Sequence, residues 1–136
     1  MEAISTRPSL TVCDLYGTIN NRMLIAPLPH RVQEIEINGK SPFREWLRKL
    51  RDVEGAAAVV SRLRRIETTG GFGSYRYLAD GVFELKIKIG PGYRVYFGLQ
   101  QGFVVLLLGG GDKSTQNRDI RKAAELWQEY LKTFTD

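Results

Sequence analysis

Phe83-Glu84-Leu85-Lys86-Ile87-Lys88-Ile89-Gly90-Pro91-Gly92-Tyr93-Arg94-Val95-Tyr96-Phe97 decides how this chain folds. Side chains along a strand alternate between its two faces. Phe83, Leu85, Ile87 and Ile89 therefore fall on one face, and Glu84, Lys86 and Lys88 on the other. Gly90-Pro91-Gly92 is a turn, because two glycines accept positive φ and proline cannot donate to a ladder. Beyond it Tyr93, Val95, Phe97 and Leu99 are again apolar, with Arg94 and Tyr96 alternating. Paired as a hairpin, the two runs give one face to a core. The other face gathers Lys86, Lys88, Arg94 and Tyr96, the cations and aromatic that RNA-backbone binding or phosphodiester chemistry would use.

The flanking segments supply the rest of the sheet and its helices. Gln101-Gly102 is a second turn, and Phe103–Leu108 is an unbroken apolar run, the pattern of a strand covered on both faces. After Gly109-Gly110-Gly111, Asp112 or Ser114 can cap a last helix with an apolar stripe of Ile120, Ala123, Ala124, Trp127, Leu131 and Phe134. Upstream, Tyr75–Leu78 is a short strand or an extended loop. Gly70–Ser74 is a loop and no phosphate fingerprint, since no strand precedes it and no helix follows.

Asp52 should cap a helix striped by Val53, Ala56, Ala57, Val60, Leu63 and Ile66 and ended by Gly70-Gly71. Ser41-Pro42 opens another, with Phe43, Trp46, Leu47 and Leu50 on one face. The small Ala56–Ala58 cluster predicts that the two helices pack closely as a hairpin. Arg31–Ile37 is the first strand. The expected domain, residues 31–136, is α+β with element order β-α-α-β-β-β-α: an antiparallel sheet carrying an N-terminal helical hairpin and a C-terminal helix. Residues 1–30 read as an N-terminal extension that does not define the fold, or as sequence upstream of a true start at Met23. Packed over the basic face, such a segment would act as a built-in plug.

The chain's 136 residues are 43% hydrophobic, which suits one folded domain. Net charge is +5, and residues 60–122 hold eleven Lys and Arg against five Asp and Glu, which favours an anionic partner. The single cysteine, Cys13, excludes a disulfide framework within one chain and fits a reducing compartment. The longest apolar run is too short for a bilayer and no secretory signal is visible, so a cytoplasmic location without membrane contact is expected. No metal site or cofactor motif stands out. The one histidine, His30, lies beside Pro29, away from the basic hairpin, and is set aside as a catalyst.

Phe43-x-x-Trp46-Leu47-x-x-Leu50, Arg62-Leu63-x-x-Ile66, Gly81-Val82-x-Glu84-Leu85, Gly90-Pro91-Gly92-Tyr93-Arg94-Val95-Tyr96 and Gly110-Gly111-Asp112-Lys113-Ser114-Thr115-Gln116-x-x-Asp119-Ile120-x-x-Ala123 stand in that order. Together they resemble the RelE/ParE superfamily of bacterial toxins, in its phage-derived, HigB-like addiction module killer branch, over residues 32–132. Where that branch often has Asn, Asp and Arg, this chain has Gly71, Ser74 and Lys86.

The resemblance implies the toxin of a type II toxin–antitoxin system, an endoribonuclease (mRNA interferase) that cleaves mRNA on the ribosome and so inhibits translation. It also implies a cognate antitoxin, usually a helix-turn-helix repressor, with operator DNA bound only through the toxin–antitoxin complex. Two alternatives stay open: a ParE-like poison of DNA gyrase, and a non-catalytic module of the same fold that acts through its antitoxin.

Carried over by position, Arg94 stands where the family's phosphate-stabilising arginine sits; alternatively it pairs with Glu84 and secures the sheet. Lys86 and Lys88 correspond to the lysine pair of RelE-type toxins, or form a solvated strand face. Lys113 falls where relatives place a basic residue near the scissile phosphate. Asp119 falls where some carry a tyrosine, to orient a lysine, accept a proton, or merely complement a helix dipole. Tyr96, read as exposed, is a base-stacking candidate, and Arg62, Arg65 and Arg76 are candidate RNA contacts.

Overall fold

The computed structural model describes residues 4–10, 25 and 28–133. Along the chain it forms β1 (Ile4–Leu10), β2 (Arg31–Ile37), α1 (Pro42–Lys49), α2 (Val53–Thr69), β3 (Tyr75–Ala79), β4 (Val82–Ile87), β5 (Tyr93–Gln100) and β6 (Val104–Asp112). A 3-10 turn, Lys113–Thr115, leads into α3 (Gln116–Lys132). The class is α+β, with one six-stranded sheet in the order β1-β2-β6-β5-β4-β3.

The expected hairpin forms with Ile87 opposite Tyr93 and Glu84 opposite Tyr96, closed by Gly90 and Gly92 at positive φ. Lys88 lies beyond the end of β4, exposed in the turn, and not on the strand face beside Lys86. Four strands follow the helices where three were expected. Asp80 and Gly81, at φ 56° and 85°, turn β3 back onto β4.

The sheet is mixed where an antiparallel one was expected. β2 runs parallel to β6, Arg31 opposite Val104 and Glu34 opposite Leu107. A parallel pair needs a long crossover, and everything from α1 to β5 intervenes. β1 adds an antiparallel edge strand on β2, from Ile4 opposite Ile37 to Leu10 opposite Val32, with a register shift at Pro8. Proline is tolerated at such an edge because its missing N–H can face away from the ladder.

Both helix caps upstream form as read. Ser41 Oγ accepts the Arg44 amide at 3.0 Å, with Pro42 in the first turn. Asp52 accepts the Gly55 amide at 3.0 Å, and α2 ends on Gly70 at φ 77°. The buried stripe of α2 is displaced from the expected one: it comprises Gly55, Val59, Leu63, Ile66 and Glu67, while Val53 is 79% exposed. Gly55 sets this rotation, because its bare backbone receives the ring of Tyr93. Ala57 consequently faces solvent and does not join the helices. A groove of about 450 Å³, lined by Phe43, Leu47, Val60, Leu63 and Leu107, lies between α1 and α2.

Helices cover both faces of the sheet. Phe43, Val59, Leu63 and Ile66 pack on Val32, Phe83, Leu85, Ile87, Tyr93, Val95, Phe97, Val105 and Leu107. On the other side Ala123, Leu126, Trp127 and Tyr130 of α3 pack on Ile35, Val82, Tyr96, Val104, Leu106 and Leu108. The continuous burial of Val104–Leu108 follows. Leu131, expected in the α3 stripe, is 37% exposed, since Leu126 and Tyr130 take the sheet-facing positions. Phe134 and Cys13 lie outside the described residues. Among those described, no helix is long and apolar enough to cross a membrane.

Candidate functional site

Glu84 lies in the middle of β4, in one cross-strand row with Arg76 of β3 and Tyr96 of β5. It points to the α3 side and is 3% exposed. A buried carboxylate persists only when donors or cations surround it, and here two donors and a further guanidinium do. Arg76 Nε donates to Oε1 at 2.9 Å, and Gln116 Nε2 donates to Oε2 at 2.8 Å. Arg94 Nε stands 3.6 Å from Oε2, an ion pair longer than a hydrogen bond. Gln116 is the first residue of α3, so one carboxylate joins β3, β4, β5 and the start of that helix.

Arg94 occupies the next row, opposite Lys86 on β4 and Gly111 on β6. It is 7% exposed. Nη1 donates to the Gly92 carbonyl at 3.3 Å, which fixes the guanidinium against the turn. Nη2 has no acceptor among the described residues, whereas Nε is buried against Glu84.

Tyr96, expected as an exposed stacking surface, is 0% exposed. The alternation placed it on the correct face, but α3 covers that face. Burial, and after it the charges of Glu84 and Asp119, raises its hydroxyl pKa well above the ordinary value. Among the described residues the hydroxyl finds no well-formed hydrogen bond.

A cationic rim borders this buried cluster. Lys86 is half-buried and Lys88 exposed. Lys113 is exposed in the 3-10 turn, beside a shallow concavity of about 270 Å³ lined by residues 113–118. Asp112 caps that turn, accepting from the Ser114 amide at 2.8 Å and its hydroxyl at 2.6 Å. Those bonds, the hydroxyl's above all, with the Arg94 charge as a smaller cause, hold its carboxyl below the usual range.

Asp119 packs against Gly111, and its Oδ2 accepts the Thr115 hydroxyl at 2.5 Å. Oδ1 is 3.9 Å from Arg118 Nε. Its charged neighbour is thus an arginine of its own helix. Arg62 and Arg65 belong to α2, on the opposite face of the sheet. Arg62 Nη1 donates to the Phe72 carbonyl at 3.2 Å and the Lys86 carbonyl at 3.1 Å, fastening α2 to β4. Burial, then the Arg65 charge, lowers its pKa. Arg65 is exposed near Gly73.

The structure therefore brings Arg94, Lys86 and Arg76 together around Glu84 and sets Arg62 and Arg65 apart from them. Sequence reading named Glu84 only as a partner for Arg94 and gave Gln116 no role. The available signal was an acid at the centre of an otherwise cationic strand face. His30 is 1% exposed, stacked edge-on against Phe72, with Nδ1 beside the Leu28 carbonyl. No trio of metal-ligating side chains occurs among the described residues.

No family model matches the chain. An uncharacterized protein of Haemophilus influenzae is 45% identical over 95 residues, covering 70% of this chain and 95% of that protein. The chain belongs to that protein's family. No solved structure matches it.

Proposed function

We propose that the chain is the toxin of a type II toxin–antitoxin pair and cuts mRNA on the ribosome through the face that carries Arg94. The motif resemblance supports this, and one observation carries it to a site. Glu84 and the Gly92 carbonyl hold the Arg94 guanidinium while Nη2 has no acceptor among the described residues, with Lys86 beside it and Lys113 at the rim.

Transesterification by a 2′-OH builds negative charge on a five-coordinate phosphorus, and a fixed guanidinium N–H suits that oxyanion. Lys86 and Lys113 add positive potential along the backbone. Proton transfer falls to the lysines and to the ribosome, because His30 is buried beside Phe72. A cognate antitoxin would silence the activity, with operator DNA contacted through the complex.

One observation favours a second reading, a non-catalytic binding module. The Arg94 charge is already countered by Glu84, and the Tyr96 ring is unavailable for stacking. Translation of a defined mRNA in a purified system, with cut ends mapped by primer extension, separates the two. Ribosome-phased ends made by wild type and lost in Arg94→Ala support the nuclease. Antitoxin binding with no cuts and unaffected translation supports the module.

A further inference from the structure

A residue that positions another betrays itself by burial, by several partners, and by a charge that looks wrong for the site. Glu84 has all three. It is an acid, 3% exposed, on the strand face that otherwise presents Lys86 and Arg94. By Coulomb's law alone, a carboxylate so close to Arg94 opposes the approach of a phosphate. Its geometry serves another purpose. Oε2 accepts from Gln116 Nε2 and faces Arg94 Nε as an ion pair at 3.6 Å, while Oε1 accepts from Arg76 Nε.

Arg94 would otherwise rotate about its side-chain torsions. With Nε turned to Glu84 and one Nη1 hydrogen on the Gly92 carbonyl, the guanidinium is held at two points and Nη2 keeps both hydrogens for a ligand. Gln116 directly follows the Lys113–Thr115 turn, so the same carboxylate anchors the lysine-bearing segment.

We propose that Glu84 is the positioning residue of this face, holding Arg94 so that Nη2 meets an RNA phosphate and keeping the Lys113 turn in place beside it. This rests on the reading that the face binds RNA. Glu84 touches no reacting atom. It acts through Arg94.

The sign of a charge change tests the idea. Glu84→Gln removes a negative charge, and electrostatics alone predicts tighter binding of a single-stranded RNA oligonucleotide. Positioning predicts weaker binding by about tenfold, comparable to Arg94→Ala and equivalent to losing one charge-assisted hydrogen bond. The double variant should then bind no worse than Arg94→Ala, because both changes remove one unit. Glu84→Asp keeps the charge and shortens the reach; it should also weaken binding and, as the gentler change, serves if Glu84→Gln does not fold. Thermal melting of each variant checks the fold.

A second readout is independent of RNA. The Arg94 Nε–H resonance should persist in wild type at neutral pH and vanish in Glu84→Gln through solvent exchange. Unchanged or tighter RNA binding by both Glu84 variants, with Arg94→Ala weakened, overturns the proposal. If wild type binds no RNA, the reading of the face fails. The resonance then decides the positioning role by itself, and its survival in Glu84→Gln would overturn it.

Discussion

Tyr93 donates its hydroxyl to Asp52 at 2.7 Å, tying the first residue of β5 to the N-cap of α2, 41 positions earlier in the chain. Asp52 also takes the Gly55 amide, and Gly55 receives the Tyr93 ring, so cap, helix start and strand form one joint. Accepting these bonds, the Gly55 amide's foremost, holds the Asp52 carboxyl below its usual range. The hydrogen bond to Asp52 is the first cause pushing the Tyr93 hydroxyl up to about 12.

This joint makes stability sensitive to alkali. A hydroxyl whose folded pKa is raised keeps its proton longer in the folded state than in the unfolded one. Its contribution is complete below the ordinary tyrosine value of 10.0 and is lost as pH rises from there to about 12. Wild type should therefore lose urea resistance between about pH 9 and about pH 12 more steeply than Tyr93→Phe. Tyr96 contributes in the same direction, so Tyr93→Phe should flatten the profile only in part. Identical slopes would mean that the bond does not form.

Gly98 and Gly109, on neighbouring strands, should respond unequally to an added methyl. A Cβ at Gly98 would stand 2.6 Å from Cε3 and Cζ3 of Trp127, a packed ring 4% exposed. Overpacking of this kind costs about 1–3 kcal/mol, so Gly98→Ala should lower the denaturant midpoint and alter Trp127 fluorescence. At Gly109 nothing lies within 4 Å of the added carbon. Gly109→Ala should stay within about 0.5 kcal/mol of wild type. Equal effects at the two sites would contradict the placement of α3 on β5.

His30 gives an acid-side signature. Burial lowers its pKa below 6.5, outweighing the backbone bonds that favour its charged form. The unfolded chain therefore takes up the proton first. Stability is complete above about pH 6.5 and falls as pH drops through that value toward the folded pKa, by at most ~1.4 kcal/mol per pH unit. Glu67 acts oppositely: burial raises its pKa above 4.5, so it retains its proton in the folded state and offsets the loss at lower pH. Urea midpoints from about pH 8 to about pH 5 should slope in wild type and flatten in His30→Gln. The same slope in wild type and His30→Gln would show that His30 contributes no such dependence.

Local chemistry was the legible part of this fold. Ser41-Pro42, Asp52 and Gly70 carry their helix ends in their own side chains or backbone freedom. The alternation sorted Phe83–Ile87 and Tyr93–Phe97 between the two faces, though it put Lys88 on a strand that ends before it. It could not reveal that α3 lies over the polar face, which turned Tyr96 from a presumed surface ring into a core residue. Period two assigns a face but not what covers it.

The parallel pairing of β2 with β6 is a contact across some seventy residues, invisible to any local window. Asp80-Gly81 was a readable hairpin signal that would have identified β3. Pro8 is unfavourable within a sheet, and the edge position of β1 reconciles it with a strand. Within the candidate site, the pairing of Lys86 with Arg94 was legible from the turn between them. The Glu84–Gln116 bond, which joins residues 32 positions apart, was not.

β1 should be dispensable for RNA binding and necessary for solubility. It lies at one edge of the sheet and β3 at the other, with β2, β6 and β5 between β1 and the Glu84 strand. Arg94 stands on β5, with β2 and β6 between it and β1; at the usual spacing between neighbouring strands that separation is about 14 Å, too far for the strand itself to lie over Arg94. Deleting residues 1–10 should thus leave RNA affinity within about twofold, which argues against this strand as a plug over the basic face. It would also bare the backbone edge of β2 together with Ile37, which lines an apolar recess with Ile4, Leu108 and Leu126. An unpaired edge beside apolar side chains is a template for self-association. Sedimentation velocity should show concentration-dependent dimers or larger species for the truncated chain, and fewer for the full one. A truncated chain that stays monomeric while binding RNA much more tightly would reverse the argument, making β1 a cover for the site and not a guard for the edge.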